Sequence, residues 1–358
     1  MPQTPPSLIT LLCLTATAAL GADLHVPGNH PSIAAALAMA GPGDAVVVAS
    51  GTYHEHDLIL PSGVVLRGES GDPGDVVIDG ERLGRCIYGE GLDASTRIEA
   101  VTLSNGLPAW GSTPYNSWGA GLMVDGGSLT VSHCIFRENE TAIGGGAFVK
   151  GTGSPVFEDC LFEDNQASEV AGLQLSGTCD PVVRNCIFRG GWRTMVGGGV
   201  TWSGSGTATL EGLTVENNVV WETGGGIELL GYYAYAVIRD CVIRNNTADI
   251  GGAGLYVYRS RNVVLENVTI TGNRGGEYAG GVEFASYAIV SALACTILDN
   301  EAPSAPDGRL GSLAAMTLNC CDVDPDRWIL DGTALFTNDG CEVGDEPVSW
   351  GDLKATFR

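Results

Sequence analysis

The sequence predicts an all-β fold, a parallel β-helix in which every coil of a solenoid holds three short strands. A phrase of one apolar residue, a spacer, a second apolar residue, two variable positions and Asn recurs along the chain. Its copies begin at Cys134, Cys160, Cys186, Gly212, Cys241, Val268 and Cys295, in steps of 26, 26, 26, 29, 27 and 27 residues. A repeat of this length is one supersecondary unit that stacks on copies of itself.

Three short apolar runs in each repeat are the second observation. One unit contains them at 146–149, 155–157 and 160–162, separated by polar or Gly-rich corners. Runs of three or four residues are too short for helices of ordinary length. Their β-branched and aromatic side chains suit strands. We therefore expect each strand to pair with its counterpart one coil further on.

The recurring asparagine is the third observation. The phrase ends at Asn139, Asn165, Asn217, Asn246, Asn273 and Asn300, and Gly191 takes this place in one coil. Asn tolerates left-handed backbone angles better than most residues, and stacked amides donate and accept along a ladder. We interpret these residues as structural corner positions.

The chain before the repeats predicts a secretory signal and a cap. Leu8 to Leu20 is apolar but short for a membrane span, and Ala19-Leu20-Gly21 is a small-x-small cleavage pattern. Residues 31–40 predict an Ala-rich helix that plugs the open end of the solenoid, as caps of repeat proteins do.

Three segments follow from these patterns. They are a signal peptide over 1–22, the β-helix with its N-terminal cap over 23–305, and a C-terminal cap or tail over 306–358. Secretion or display at the surface of a bacterial cell is the expected location, with the periplasm as an alternative. No later segment is apolar enough to span a membrane.

Charge and cysteine content narrow the function classes. A formal net charge of −24 disfavours nucleic-acid binding, because phosphates would be repelled. Cys134, Cys160 and Cys186 should form a column of buried thiols, since side chains in register point the same way. In an oxidising compartment, Cys341 is expected to bridge to Cys320 or Cys321.

The entry segment and the repeats carry a resemblance to known families. Residues 32–69, with the helix, "GD", Val runs and "GTY", resemble the entry of pectin-lyase-like right-handed β-helix proteins. The alternation of Gly145-Gly-Ala-Phe148 with Phe162-Glu-Asp-Asn165 is similar to repeats of chlamydial polymorphic outer-membrane proteins. The resemblance implies a right-handed β-helix over about residues 31–300. It is weak for activity, because this fold hosts many functions.

One outward row of side chains is a candidate catalytic site. In the glycine-led strands the second residue points away from the core, which gives the row Met123, Phe148, Gln174, Thr201, Glu228, Tyr256 and Glu283. Glu228 and Glu283 lie two coils apart, about 9–10 Å, with Tyr256 between them. Paired carboxylates at roughly that spacing suit inverting glycoside hydrolysis. The alternative is an ordinary solvated strand face.

An inserted loop is a candidate ligand-binding site. The step from Val101 to Cys134 is longer than the repeat, and the extra residues include Trp110, Tyr115 and Trp118. Such aromatic side chains suit stacking on a sugar ring or a partner. The alternative is that the loop folds back over an exposed strand.

The sequence indicates no cofactor and no metal ligand set. Calcium is the one ion it suggests, at Asp322, Asp324 and Asp326, but a solvated acidic turn is the simpler interpretation, since the Gly and Glu of an EF-hand loop are absent.

Two functions follow. The first is a secreted or cell-surface module, adhesin-like or carbohydrate-binding, whose partner is a polysaccharide or surface glycan. The second is a polysaccharide lyase or glycoside hydrolase of the pectin-lyase-like class. The absence of the motifs that mark such enzymes favours the first.

Overall fold

The chain folds as an all-β parallel solenoid of about ten turns, seen in a computed structural model that describes residues 21–109 and 117–338. Each complete coil of the described chain contributes one strand to each of three parallel sheets, so the prediction of three strands per coil is confirmed. Strands one coil apart pair in register, as Ala147–Lys150 does with Leu173–Leu175.

Sheet I has thirteen strands in the described part of the chain. They are Asp23–Val26, Ala45–Val48, Val65–Gly68, Arg97–Glu99, Thr130–Ser132, Val156–Glu158, Val182–Arg184, Gly206–Glu211, Ala234–Arg239, Val263–Glu266, Ile289–Leu293, Ala315–Asn319 and Leu335–Asn338.

Sheet II has eleven described strands. They are Gly51–His54, Val76–Asp79, Thr102–Ser104, Ile135–Arg137, Leu161–Glu163, Ile187–Arg189, Thr214–Glu216, Val242–Arg244, Thr269–Thr271, Thr296–Leu298 and Asp322–Val323.

Sheet III, which holds the glycine-led strands, also has eleven. They are Leu58–Leu60, Ile87–Leu92, Leu122–Gly127, Ala147–Lys150, Leu173–Leu175, Val200–Trp202, Ile227–Leu230, Leu255–Tyr258, Val282–Ala285, Gly308–Leu310 and Trp328–Leu330.

Short strands between sheets II and III form a further side of the solenoid, which we call the lateral side. They are Glu140–Ile143, Gln166–Glu169, Val219–Val220, Thr247–Ala248 and Arg274–Gly275. Thr152–Gly153 and Thr178–Cys179 make a separate pair at the corner after sheet III.

The solenoid continues past residue 305, where the sequence predicted its end. Gly308–Leu310 and Trp328–Leu330 still pair in sheet III. The boundary was placed too early because the asparagine phrase stops at Asn300. The coils persist without it: Asp307 accepts from the backbone N–H of Asn300 at 3.0 Å in place of the next asparagine.

The core is a column of apolar side chains from all three sheets. Phe136, Phe162 and Phe188 stack along the axis with ring centroids 4.5 and 4.6 Å apart, and all three are fully buried. Burial of one such side chain stabilises the fold by about 2–3 kcal/mol.

The asparagine ladder is present, with two corrections to the sequence interpretation. Asn246 donates from its backbone N–H and its amide to Oδ1 of Asn273, at 2.9 and 3.0 Å. The ladder member in the 212 coil is the buried Asn218 and not Asn217, because Leu213 and not Gly212 begins that phrase. The left-handed residue is the one before each ladder position, such as Asn245 with φ 55°.

The predicted N-terminal helix is shorter than expected. It covers Ile33–Leu37, five residues and not ten. The extended Ser32 caps its start, its side chain accepting from the N–H of Ala35, and Ala38 is its C-cap. Ile33 and Leu37 are buried in the core. Its role as an end cap stays a prediction.

The described cysteines fit the prediction of a buried thiol column. Cys134, Cys160 and Cys186 are free and buried. Cys320 is disulfide-bonded and Cys321 is free. Cys341 lies outside the described residues, so its pairing stays a prediction. No helix among residues 21–109 and 117–338 is long and apolar enough to cross a membrane.

Candidate functional site

The predicted outward row of sheet III exists, but it is not solvated. Glu228 pairs in register with Thr201 and Tyr256, and Tyr256 with Glu283. Glu228 is 1% exposed and Glu283 6%. Backbone of the lateral side covers the row: Gly224 lies against Glu228, where an added Cβ would come within 2.7 Å of that side chain. The expectation of an open strand face is therefore wrong.

Glu228 is a buried carboxyl held by hydroxyl groups. Its Oε1 accepts from Thr223 at 3.2 Å and its Oε2 from Thr201 at 3.3 Å. Burial raises the pKa of Glu228 to about 8, the two hydroxyls lower it, and the nearby Glu169 and Glu222 raise it further. The side chain is therefore mostly protonated at neutral pH.

Glu283, the other predicted acid, forms an ion pair with an arginine. Its Oε1 accepts from Arg309 at 3.0 Å, and Arg309 also bonds Asp331 at 2.6 Å. Burial raises the pKa of Glu283, and Arg309 opposes that shift. The half-buried Tyr256 stands between the two acids, and burial raises the pKa of its phenol. The structure aligns these three residues without opening a shared groove onto Glu228 and Glu283.

The aromatic loop is described only at its end. Trp118 is half-buried and meets Phe148 edge-on, with ring centroids 5.2 Å apart. Phe148 belongs to a small cluster with Tyr88 and Met123. This packing agrees with a loop that folds over the strand. Trp110 and Tyr115 lie outside the described residues, and ligand binding by the three aromatic residues stays a prediction.

Two neighbouring clefts open on this part of the surface, one on the lateral side and one at its corner with sheet III. The tryptophan cleft has a volume of about 230 Å³, and its lining residues are Glu140, Thr141, Gln166, Ala167, Ser168, Arg193, Met195 and Trp221. The Glu228 cleft has a volume of about 190 Å³, and its lining residues are Ile143, Phe148, Glu169, Val170, Gln174, Ser176, Val196, Thr201, Ser203, Glu228 and Leu230. Ser168 and Glu169 are consecutive, so the strand that ends there borders both clefts.

The tryptophan cleft presents apolar surface to solvent. Trp221 is 55% exposed and Met195 40%. Beside them, Trp192 is 44% exposed, and the guanidinium of Arg193 lies 5.5 Å from its ring centroid. Exposed aromatic and apolar residues grouped in this way mark interaction sites more often than single exposed residues do.

Sequence reasoning missed Glu169, Arg193, Trp192 and Trp221. One signal was available. In the position that directly follows the ladder residue, Gln166 pairs with Trp192, and the neighbouring coils carry mainly polar residues there. Aligned repeats would have shown the tryptophan as exceptional. No sequence pattern indicated that Glu169 and Glu228 line the same cleft, because 59 positions separate them in the sequence (228 minus 169).

The three aspartates proposed for calcium do not converge. Asp324 caps the short 3₁₀ helix Pro325–Arg327, its Oδ1 accepting from the N–H of Asp326 at 3.1 Å. Within the described ranges, no group of three or more His, Cys, Asp or Glu side chains is arranged to hold a metal ion. Calcium binding stays a prediction.

Comparison with known families and structures adds to this geometry. The sequence matches the right-handed β-helix region family over residues 62–220 and 192–309. The chain belongs to the right-handed β-helix family. No curated protein matches the sequence. The resemblance to chlamydial polymorphic outer-membrane proteins is not shown and stays a prediction.

Solved structures similar to this β-helix protein are distant in sequence. A polygalacturonase from Erwinia carotovora ssp. carotovora is 11% identical with a TM-score of 0.44, over 92% of this chain and 95% of that chain. The surface protein and adhesin PfbA of Streptococcus pneumoniae is 10% identical with a TM-score of 0.41, over 83% and 90%. The family 28 exopolygalacturonase of Yersinia enterocolitica is 13% identical with a TM-score of 0.37, over 92% and 79%. These likenesses do not bear on what this protein binds or catalyses.

Proposed function

We propose that this β-helix protein is a secreted or cell-surface module that binds a glycan across its lateral side. The observation that carries the proposal is the exposed indole of Trp221 in a cleft lined by polar side chains. Secretion is inferred from the apolar segment over residues 8–20, which lies outside the described residues.

The chemistry of the tryptophan cleft suits a sugar. An indole face packs against the apolar C–H face of a pyranose ring, as a large and rigid contact surface. Glu140, Gln166 and Arg193 line the same cleft and offer carboxylate, amide and guanidinium groups to hydroxyls. Sites of this kind combine an apolar platform with a few polar groups that orient the ligand.

Polysaccharide cleavage by Glu228, Tyr256 and Glu283 is the second prediction, and the geometry supports it less. A buried acid with a raised pKa suits proton donation. The other acid is buried and its Oε1 is bound to Arg309, however, and these surroundings do not favour a base that activates a water molecule.

Replacement of Trp221 by Ala tests the binding function. The purified chain is screened on a panel of glycans, and the affinity for the best ligand is then measured by calorimetry. We expect W221A to weaken binding about five- to thirtyfold, since the lost stacking surface contributes roughly 1–2 kcal/mol. The same panel is assayed for released reducing ends, and the binding function predicts none.

Tyr233→Ala is the matched control, because Tyr233 is 67% exposed and does not line the cleft. Y233A should bind as the wild type does. Equal losses in W221A and Y233A, or no glycan ligand on the panel, would overturn the proposed function.

A further inference from the structure

Three carboxylates of the described chain are buried, and two of them are paired with arginine. Asp307 is bonded by the guanidinium of Arg327, and Glu283 by that of Arg309. Glu228 differs from both: in the part of the chain that the structure describes, its bonded partners are the hydroxyls of Thr201 and Thr223. A carboxylate taken out of water without a cation is costly.

The difference in charge pairing is clearest between Glu283 and Glu228, which belong to the same row of sheet III. Glu283 and Glu228 occupy the same register position two coils apart. At Glu283, the next residue of the row is Arg309, whose guanidinium also lies 4.1 Å from the ring centroid of Tyr278. At Glu228, the described neighbours in the row are Thr201 and Tyr256, and neither carries a positive charge.

The surroundings of Glu228 differ in a second respect, because they open to a cleft. Glu169 and Glu228 both line the cleft of about 190 Å³, and its described lining contains no Lys, Arg or His. The volume exceeds the roughly 30 Å³ that one water molecule occupies. Phe148 adds an aromatic ring to the lining, and aromatic faces attract cations.

We propose that the Glu228 cleft binds the ammonium group of an amino sugar in the bound glycan, with Glu228 and Glu169 as its counter-ions. The proposal rests on the proposed function, since it places the rest of the glycan in the tryptophan cleft. The two clefts border the same strand, Gln166–Glu169, so adjacent units of one glycan reach both. The ligand supplies the cation that Arg309 supplies at Glu283.

Ligand binding at this site should change the protonation of Glu228, which can be measured. Burial holds Glu228 neutral in the free protein at pH 6, with Glu169 and Glu222 adding repulsion against its charged form. An ammonium group in contact favours the carboxylate and lowers its pKa. Binding therefore releases protons at pH 6, where the amine of the ligand is already protonated.

The test compares β-1,4-linked glucosamine oligomers with fully N-acetylated oligomers of the same length, which lack the charge. Calorimetry on the full chain should show at least tenfold tighter binding of the glucosamine oligomer. Glu228→Gln should abolish this preference, and W221A should weaken binding of both oligomers while the preference remains. Glu277→Gln, an exposed carboxylate away from both clefts, should behave as the wild type.

The outcomes separate this proposal from the proposed function. Equal affinity for both oligomers, or a preference that survives E228Q, overturns the ammonium site and leaves glycan binding intact. Spermidine binding that depends on Glu228 without any glycan binding overturns the amino-sugar ligand and the proposed function together. Proton release is measured in buffers of different ionisation enthalpy, and release near zero also contradicts the proposal. The measurement of proton release uses the wild-type chain, so it still tests the proposal if E228Q does not fold.

Discussion

At the scale of the residue, Glu228 shows that strand alternation does not tell whether a side chain outside the core is exposed to solvent. Alternation along the strand Ile227–Leu230 puts its side chain outside the core. Gly224 and Thr223, from a different side of the same coil, then cover it. Glycine with φ 70° at position 224 permits this close approach.

The pH dependence of stability follows from that burial. Glu228 has a pKa of about 8 in the folded protein and an ordinary value of 4.5. The folded state therefore keeps a proton that the unfolded chain releases between these values, and stability falls as pH rises from about 4.5 to 8.

We expect Glu228→Gln to remove this dependence, because the amide does not ionise. The free energy of unfolding of the wild type should fall relative to E228Q by up to about 1.4 kcal/mol per pH unit in that window. Urea unfolding at pH 5, 7 and 9 measures the difference. A constant difference across the three pH values would show that Glu228 is not held neutral by the fold.

At the scale of the element, the asparagine ladder joins successive coils at their corners. Asn246 accepts from the amide of Asn218 at 2.9 Å and donates to the carbonyl of Val215 at 3.0 Å. Amides that are fully buried must find such partners, since an unpaired buried polar group costs about 1–3 kcal/mol.

Asn246→Ala should therefore cost about 3 kcal/mol, because it removes the acceptor of the backbone N–H of Asn218 and the amide donor to Asn273 and Val215. Urea unfolding measures the loss. Asn267→Gly is the matched control, since Asn267 is exposed in a left-handed conformation that glycine adopts easily. It should cost less than about 1 kcal/mol. Similar losses of stability in both variants would contradict the contribution of the asparagine ladder to the free energy of unfolding.

On two of the sheets, Glu and Arg occupy equivalent positions in successive coils and form ion pairs. On sheet I, Arg184 bonds Glu158 and Arg239 bonds Glu211, and on sheet II, Arg189 bonds Glu163. These pairs are largely exposed, so each contributes little to stability. Like charges would repel in any register that placed them opposite, so the alternation favours one stacking of the coils.

At the scale of the whole molecule, a solenoid is stabilised by contacts between neighbouring coils. A change in a central coil therefore weakens two interfaces, and a change in a terminal coil weakens one. Phe162 lies between Phe136 and Phe188 in the stack. Phe336 belongs to the last described strand and packs on Trp328, with ring centroids 5.3 Å apart.

We expect Phe162→Ala to lower the global free energy of unfolding by about 3–5 kcal/mol, since it leaves a cavity in the stack. Phe336→Ala should instead speed hydrogen exchange in the last coils with a smaller global loss. Urea unfolding and exchange by mass spectrometry measure the two effects. A larger global loss for F336A than for F162A would contradict this picture of coil-by-coil stability.

The sequence by itself determined the repeat, the three strands per coil and the row on which Glu228, Tyr256 and Glu283 stack. Each of these depends on periodicity, which residues a fixed distance apart in the chain express directly. The register at Asn218 was misread because Asn217 and Asn218 are adjacent and satisfy the same pattern.

Only the tertiary structure decided which members of that row are covered, which acid has an arginine and where the clefts lie. Glu283 meets Arg309, and Glu228 shares a cleft with Glu169, through coils that are stacked in space. Burial and charge pairing depend on side chains from several coils and sides at once. A one-dimensional pattern records each of those residues but not the short distances between them.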